Sequence, residues 1–252
     1  PEGQMTWRVD EDQQVELQAR AEDSIDDLSG LRYEWSLGLE TDGRTSAIPA
    51  EWTTAGMKKV LVKAIDSEDF DSGWIERWVD VQNVQPMIDP LPDILPVAEG
   101  QPVTLSGNAW DTESDMSTLK VCWDIDPGVD SDGIGSADDD CDVVGNDLSW
   151  SWQNAGTHNI VFHATDDDGA RNSSTATVEV LNLPPMVKIK VPSKVISGET
   201  VTLDASATID SALDIDYLTV VWDVDCRTDS DGDGITDNDA DLVGSVVEYE
   251  FP

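Results

Sequence analysis

The chain has 252 residues, of which 53 are acidic and 14 are basic, and its formal net charge is −39 at pH 7. A negative charge of this size repels phosphates, which argues against nucleic acids and anionic membrane surfaces as partners and favours cations. No run of about 18 apolar residues is present, so we expect no membrane insertion in this segment. The two histidines, His158 and His163, have no cysteine or serine arranged around them, so we predict that the chain is not an enzyme.

One pattern occurs three times along the chain. Each copy opens with an alternating apolar triplet after a turn, and these triplets are Val15–Leu17, Val103–Leu105 and Val201–Leu203. About twenty residues later each copy has a tryptophan in an alternating apolar run, at Trp35, Trp123 and Trp222. The first two copies then end in the proline-containing segments 83–86 and 182–185. The repeats therefore predict consecutive structural units of one kind.

The local pattern within each copy predicts strands. The apolar runs are short, alternate with period two, are rich in Val, Ile, Thr and Trp, and are separated by turn residues. This is typical of antiparallel β-sandwiches, and we find no amphipathic helix. Proline fixes φ and removes a donor, so the proline-containing segments 83–92 and 182–185 are predicted linkers. We predict tandem Ig-like sandwiches at 1–86 and 87–185 and a partial third at 186–252, where the copy stops before its last two strands.

An acidic loop follows the tryptophan of the third copy, at 225–244. It contains the pattern D-x-D-x-D-G-x-x-D, which resembles the calcium loops of EF-hand, dockerin and thrombospondin repeats. Ca²⁺ takes six to eight oxygen ligands, and alternate carboxylates in a tightly curled loop supply three of them. Ala240 stands where an EF-hand has its last glutamate, so another aspartate would have to substitute. The predicted ligands are Asp229, Asp231, Asp233, the Ile235 carbonyl, Asp237, Asp239 and Asp241.

The second copy has a sister loop at 126–145, which aligns with the first without a gap at an offset of 99 residues. Its predicted ligands are Asp130, Asp132, Asp138, Asp140 and Asp142. Ile134 stands in the place of Asp233, and the missing ligand would weaken the site or shift the ion toward Asp124 and Asp126. The alternative for both loops is a solvated acidic surface without an ion. The first copy has only Glu40, Asp42 and Gly43 in this place, and we predict no ion there.

Two covalent features are predicted near the second loop. Cys122 and Cys141 bracket it, and strand alternation places Cys122 on the outer face, where Cys141 can return to meet it. A disulfide here would stabilise the fold by about 3 kcal/mol in the chain-entropy model; the alternative is two free thiols. Cys226 has no partner in its own copy. Asn172 begins an N-x-S sequon, which predicts glycosylation of a secreted chain.

A family resemblance rests on the second copy. Segments 155–161, 164–169 and 182–185 contain an Ala-Gly turn, an alternating strand, the hairpin sequence ATDDDG and the ending NLPP. Together they resemble the second half of a PKD-type (polycystic-kidney-disease-like) domain. The resemblance implies an Ig-like sandwich on a cell surface or in a secreted protein, acting as a spacer or binding module and not as a catalyst.

These features predict an extracellular or cell-surface structural or adhesive spacer, built of PKD-like repeats that Ca²⁺ makes rigid. Its expected partners are calcium ions and surface proteins or polysaccharide. The alternative is an accessory carbohydrate- or protein-binding region of a secreted hydrolase. An exposed row of aromatic rings would favour the alternative, whereas tryptophans buried in each core, as expected for Trp35, Trp52, Trp123, Trp152 and Trp222, favour the spacer.

Overall fold

The computed structural model describes residues 7–25, 28–38, 43–131, 133, 135–137 and 140–252. Within these residues the chain is all-β, which confirms the predicted fold class, and its only helical segments are the 3₁₀ turns Leu28–Gly30 and Ile215–Tyr217. Neither described helical segment is long and apolar enough to cross a membrane. Residues of the second acidic loop and of the first copy's connection lie outside the described residues, namely Asp132, Ile134, Asp138, Glu40 and Asp42.

The first copy forms a sandwich around an apolar core. Its strands are β1 (Trp7–Asp10), β2 (Val15–Gln18), β3 (Arg32–Ser36), β4 (Ala47–Ala50), β5 (Gly56–Ile65) and β6 (Ile75–Gln82). They form a sheet in the order β1-β6-β5-β3 and a second sheet in which β2 pairs with β4. Alternation along β5 and β6 directs Val60, Val79 and Val81 inward, where they cluster with Trp35 and Trp52.

The second copy contributes nine strands. They are β7 (Met87–Ile88), β8 (Val97–Ala98), β9 (Val103–Ser106), β10 (Ala109–Trp110), β11 (Lys120–Asp124), β12 (Val143–Val144), β13 (Asp147–Trp150), β14 (Gly156–Thr165) and β15 (Arg171–Leu181). One sheet has the order β12-β11-β14-β15-β8, and β9 pairs with β13. Trp123 is fully buried and packs on Phe162, with ring centroids 4.8 Å apart. The acidic loop starts directly after β11 and returns at β12.

The third copy contributes four strands, β16 (Thr200–Asp204), β17 (Val221–Trp222), β18 (Leu242–Val243) and β19 (Val246–Glu250). They form two antiparallel pairs, β16 with β19 and β17 with β18. Leu203 and Ala205 are buried, but apolar residues at the start of this copy, including Met186, Val187 and Ile189, are exposed. The tryptophan of this copy, Trp222, is only half-buried.

Two edge strands run parallel to their neighbours, whereas the sequence pattern led us to expect antiparallel pairing throughout. Strand β1 pairs in parallel with β6, and β8 pairs in parallel with β15. In each case a strand near the start of a copy lies beside the last strand of that copy, so the two strands end at the same edge of the sheet. Periodicity cannot reveal this pairing because it joins segments that are a whole repeat apart.

The chain divides into two compact units. The first holds Pro1–Pro92, Ser106–Asp147 and Ile160–Thr175, and the second holds Asp93–Leu105, Leu148–Asn159 and Ala176–Pro252. The domain limits 1–86, 87–185 and 186–252 follow the sequence repeats, and they remain predictions.

Candidate metal centres

Three carboxylates meet where β11 ends and the second acidic loop returns. Asp124, Asp126 and Asp142 each offer an oxygen, and these oxygens lie within 4.8 Å of one another. The backbone of the loop fixes the arrangement: the Asp126 N–H donates to Asp124 Oδ1 over 3.0 Å, and the Ile125 N–H donates to Asp142 Oδ2 over 2.9 Å. The backbone N–H of Asp142 donates to the Trp123 carbonyl, which joins the returning chain to the strand. We call this set the strand-end triplet of the second copy.

The third copy repeats this arrangement with the equivalent residues. Asp223, Asp225 and Asp241 also offer oxygens within 4.8 Å of one another, and they form the strand-end triplet of the third copy. The Asp225 N–H donates to Asp223 Oδ1 over 3.0 Å, and the Val224 N–H donates to Asp241 Oδ2 over 2.9 Å. The two strand-end triplets therefore have the same geometry, although the residues between their members are only partly the same.

One oxygen in each strand-end triplet is buried without a hydrogen-bond partner. These atoms are Oδ2 of Asp124 and Oδ2 of Asp223. Burial, together with the charges of Asp142, Asp126 and Asp140, raises the pKa of Asp124 to about 6. Burial, followed by the charge of Asp142, also raises the pKa of Asp126. A buried acceptor that faces other carboxylates is costly unless a cation or a proton neutralises it, so the donor set fits a hard cation such as Ca²⁺.

A second cluster lies in the turn of the third loop. Asp229, Asp231 and Asp233, which we call the turn triplet, have oxygens within 4.8 Å of one another. Asp229 accepts the Gly232 and Gly234 N–H groups over 2.6 and 2.9 Å, and both glycines have positive φ, which lets the loop curl around the carboxylate. The amide of Asn238 and the N–H of Ile235 lower the pKa of Asp233. This triplet is exposed at Asp231 and Asp233.

Buried aspartates hold each loop closed. In the third copy Asp239 is 1% exposed and accepts the Ser230 and Asp231 N–H groups over 3.0 and 3.1 Å. In the second copy Asp140 is fully buried and accepts the Ser131 N–H over 2.5 Å. These hydrogen bonds order each loop, and in the second copy the Asp140 charge also contributes to the raised pKa of Asp124.

The predicted ligands therefore fall into separate groups. Asp229, Asp231 and Asp233 come together as expected, whereas Asp241 and Asp142 join the strand-end triplets. Asp237 belongs to no triplet among the described residues. Asp130 accepts the Gly133 and Gly135 N–H groups over 2.7 and 2.9 Å, as its counterpart Asp229 does.

Asp223 and Asp225 are not among the ligands predicted from the sequence, and Asp124 and Asp126 are predicted only as alternative ligands if the second loop's ion shifts toward them. A signal for them was present, because the pair D-x-D follows the tryptophan in both copies and matches at the same offset.

The predicted covalent features lie beside the second loop. Cys122 and Cys141 are free thiols in this structure, but they are close enough to interact: burial, and then a hydrogen bond with Cys141, raises the pKa of Cys122 to about 12. Cys226 is also free. The side-chain amide of Asn172 donates to the Pro86 carbonyl over 2.9 Å, so a glycan on this nitrogen would have to replace that hydrogen bond. The disulfide and the glycosylation remain predictions.

The tryptophans divide into core and surface residues. Trp35, Trp52, Trp123 and Trp152 are buried, as expected for core positions. The exposed tryptophans are separated along the fold: Trp7 lies on β1, Trp110 on β10 and Trp150 on β13, and Trp74 lies between β5 and β6. The Lys63 ammonium lies 5.1 Å from the centre of the Trp74 ring, so that face is already in contact with a protein cation.

No family model matches the chain, and no curated protein matches it. Solved structures with a similar arrangement include the fibronectin(III)-like modules of Clostridium thermocellum CbhA, at 17% identity and a TM-score of 0.29 over 69% of this chain and 89% of that one. The human desmocollin-1 ectodomain is 10% identical, with a TM-score of 0.28. The match covers 87% of this chain and 48% of the desmocollin-1 chain, so this chain spans about half of that protein's length. Drosophila N-cadherin EC1-3 is 13% identical with a TM-score of 0.26, over 71% and 65% of the two chains. Likeness at this level carries no information about what the chain binds.

Proposed function

We propose that this chain is part of an extracellular or cell-surface structural or adhesive spacer, whose PKD-like repeats are made rigid by Ca²⁺. The observation that carries the proposal is the strand-end triplet, which recurs at equivalent positions in two repeats, each time with a buried, unpartnered carboxylate oxygen. A solvated acidic surface has no reason to bury such an atom twice in the same place, because an exposed carboxylate is hydrated at no cost.

The proposed ligands are the strand-end triplets, Asp124, Asp126 and Asp142 in the second copy and Asp223, Asp225 and Asp241 in the third. Bound Ca²⁺ supplies two positive charges that offset the repulsion within a triplet. Because Asp142 and Asp241 come from the returning end of each loop, an ion held there ties the loop's two ends together. The turn triplet, Asp229, Asp231 and Asp233, is a further proposed site in the third copy.

The ion would therefore order the loop, and ordering and binding would be coupled. Extracellular calcium modules commonly bind with Kd values of about 0.1–1 mM, which fits a protein that is always loaded outside a cell. The high negative charge keeps such a chain soluble and leaves cations as its simplest ligands. The buried tryptophans support a packing role for these rings, which favours the spacer over a carbohydrate-binding accessory region.

The test is thermal unfolding of the whole chain in calcium and in chelator. We expect calcium to raise the melting temperature of the wild type, and the rise to be largely lost in the double variant Asp124→Asn with Asp223→Asn. Asp147→Asn, which removes an exposed charge at the start of β13, is the matched control and should retain the rise. If calcium leaves the wild type unchanged, or if magnesium and sodium at equal ionic strength reproduce the rise, the loops are solvated acidic surface.

A further inference from the structure

Outside the acidic loops, a second group of buried oxygens without partners lies beside the linker between the first and second copies. The atoms are Glu11 Oε2, Asn83 Oδ1, Asp111 Oδ2 and Asp115 Oδ2. Glu11 and Asp115 are only 3% and 4% exposed. All four residues belong to the first compact unit, although Glu11 and Asn83 come from the first copy and Asp111 and Asp115 from the second.

The parallel pairing of β1 with β6 brings Glu11 to this place. Both strands end at one edge, so Glu11, which follows β1, lies beside the residues that follow β6, and its N–H donates to the Gln82 carbonyl over 3.0 Å. The Val84 N–H donates to Glu11 Oε1 over 2.7 Å. One carboxylate oxygen thus holds the linker, while the other remains without a partner.

The loop after β10 supplies two further carboxylates in the same manner. Asp111 Oδ1 accepts the Thr112 N–H over 2.9 Å, and Asp115 Oδ1 is 3.2 Å from the Ser114 hydroxyl, which donates to it. The second oxygen of each carboxylate has no partner. The Ser114 N–H donates to Asp12 Oδ2 over 2.7 Å, which joins this loop to the residue after Glu11.

The side-chain amide of Asn83 is oriented by a buried aspartate. Its Nδ2 donates to Asp166 Oδ2 over 3.0 Å, and Asp166 Oδ1 accepts the Ala170 N–H over 2.7 Å. Because the nitrogen of the amide is held by Asp166, the oxygen is left as a buried acceptor. Each of the four residues therefore has one side-chain atom in a hydrogen bond with the surrounding protein and one buried oxygen without a hydrogen-bond partner.

The electrostatics of the group call for a positive charge. Burial raises the pKa of Glu11 to about 7, with contributions from the charges of Asp115 and Asp168 and from a side-chain hydrogen bond with Asp115, although the Val84 N–H acts to lower it. Burial, and then the charges of Asp115, Asp166 and Asp167, raise the pKa of Asp111. Among the described residues, no lysine or arginine is a cause of either shift.

We propose that Glu11, Asn83, Asp111 and Asp115 form a cation site of the oxygen-only type that suits Ca²⁺, located between the first and second copies. The three carboxylates are not among the described groups whose oxygens all lie within 4.8 Å of one another, so an ion here would draw the unpartnered oxygens together. It would tie the linker end of the first copy to the β10 loop of the second. The site is separate from the acidic loops and does not require them to bind an ion. A related set consists of Glu99 and Asn182 of the second copy and Asp210 and Asp214 of the third, but its oxygens are not among the buried, unpartnered atoms of the described residues.

The first test counts calcium ions bound per chain by equilibrium dialysis, using the whole chain. We expect Asp115→Asn and Glu11→Gln each to remove one ion, both from the wild type and from the loop variant Asp124→Asn with Asp223→Asn. The control Asp89→Asn removes a carboxylate in the same linker, one that accepts only the Asn108 amide, and should leave the number unchanged. An unchanged ion number in Asp115→Asn overturns the site.

The design separates this proposal from that for the loops. If the loop variant binds as many ions as the wild type while Asp115→Asn loses one, the loop sites fail and the linker site stands. The reverse pattern leaves the loops and overturns the linker site.

A second measurement guards against a purely structural effect of these substitutions. In chelator, Asp115→Asn should melt at or above the wild-type temperature, because it removes a buried negative charge from a cluster of like charges. In calcium it should melt below the wild type, because the ion is lost. A lower melting temperature in both conditions, or a higher one in both, would mean that the group acts through packing or a shared proton and would overturn the cation site.

Discussion

The acidic loops of the second and third copies carry the same strand-end triplet on differently supported strands. In the second copy, β11 lies inside a five-stranded sheet, and Trp123 and Asp124 are both fully buried. In the third copy, β17 pairs only with β18 among the described strands, and Trp222 and Asp223 are half-buried. The triplet forms in both, so its geometry depends on the loop closing against the strand end and not on a complete sandwich.

At the turns of the two loops, the third copy has the more complete set of candidate ligands. The third copy has the complete turn triplet, whereas the second has Ile134 at the position of Asp233. The second loop is therefore better supported at its base, and the third has more ligands at its tip. The strand-end triplets should accordingly differ in how strongly they couple to folding, and the turns should differ in whether they bind an ion at all.

The largest expected difference concerns the tryptophans under the loops. Trp123→Ala should lower the free energy of unfolding by about 3–5 kcal/mol, because it removes a fully buried ring from its contact with Phe162. Trp222→Ala should cost clearly less, since the ring is only half-buried. Urea unfolding followed by circular dichroism measures both, with Trp150→Ala, an exposed ring on β13, as the control. Equal losses for Trp123 and Trp222 would show that the two strands are equally supported.

The next prediction concerns the cysteines, which only the second loop can pair. Under oxidising conditions, joining Cys122 to Cys141 should raise the free energy of unfolding by about 3 kcal/mol relative to the reduced chain. The raised pKa of Cys122, caused mainly by burial, keeps this thiol protonated at neutral pH. Mass spectrometry of unreduced peptides detects the bond, and Cys141→Ser is the control. Two free thiols after exposure to oxidant would contradict the prediction.

The third prediction compares the strand-end triplets directly. At a calcium concentration of a hundred times Kd, each ion should contribute about 2.7 kcal/mol to the unfolding free energy, and Asp124→Asn or Asp223→Asn should each abolish one such contribution. In chelator the variants should separate: Asp124→Asn should stabilise the chain, because it removes a fully buried charge, whereas Asp223→Asn should change little. Calorimetric unfolding with and without calcium measures these effects. If both substitutions stabilise the chain in chelator, the buried charges of Asp124 and Asp223 have similar costs to the free energy of unfolding, and the prediction is wrong.

Parts of this comparison could be predicted from the sequence, because they depend on local patterns. Strand alternation was enough to place Trp35 and Trp123 in cores, and the spacing of Asp229, Asp231 and Asp233 was enough to bring them together in a turn.

The strand-end triplet and the linker group could not be predicted in the same way. Asp241 meets Asp223 only because the loop closes onto the strand through the Trp222 carbonyl, and Glu11 reaches the linker only because β1 pairs in parallel with β6. Both contacts are set by tertiary pairing, which periodicity does not encode. For the strand-end triplets, recurrence of each aspartate at an offset of 99 residues was the sequence signal available.

The smallest expected effect comes from substitutions that exchange the turn sequences of the two loops. Ile134→Asp restores the missing aspartate of the second loop, and Asp233→Ile removes it from the third. We expect the first change to add one weakly bound calcium ion per chain and the second to remove one, because three alternating carboxylates provide the ligands that two do not. Terbium luminescence excited through tryptophan, competed by calcium, measures the change, and Ile134→Asn is the uncharged control. Since the loop tip is exposed, the effect on unfolding should stay near or below about 1 kcal/mol at a calcium concentration close to Kd. If Ile134→Asp adds no ion while Asp233→Ile removes one, the third turn depends on more than its three aspartates, and Asp237 or Asn238 is the next residue to substitute.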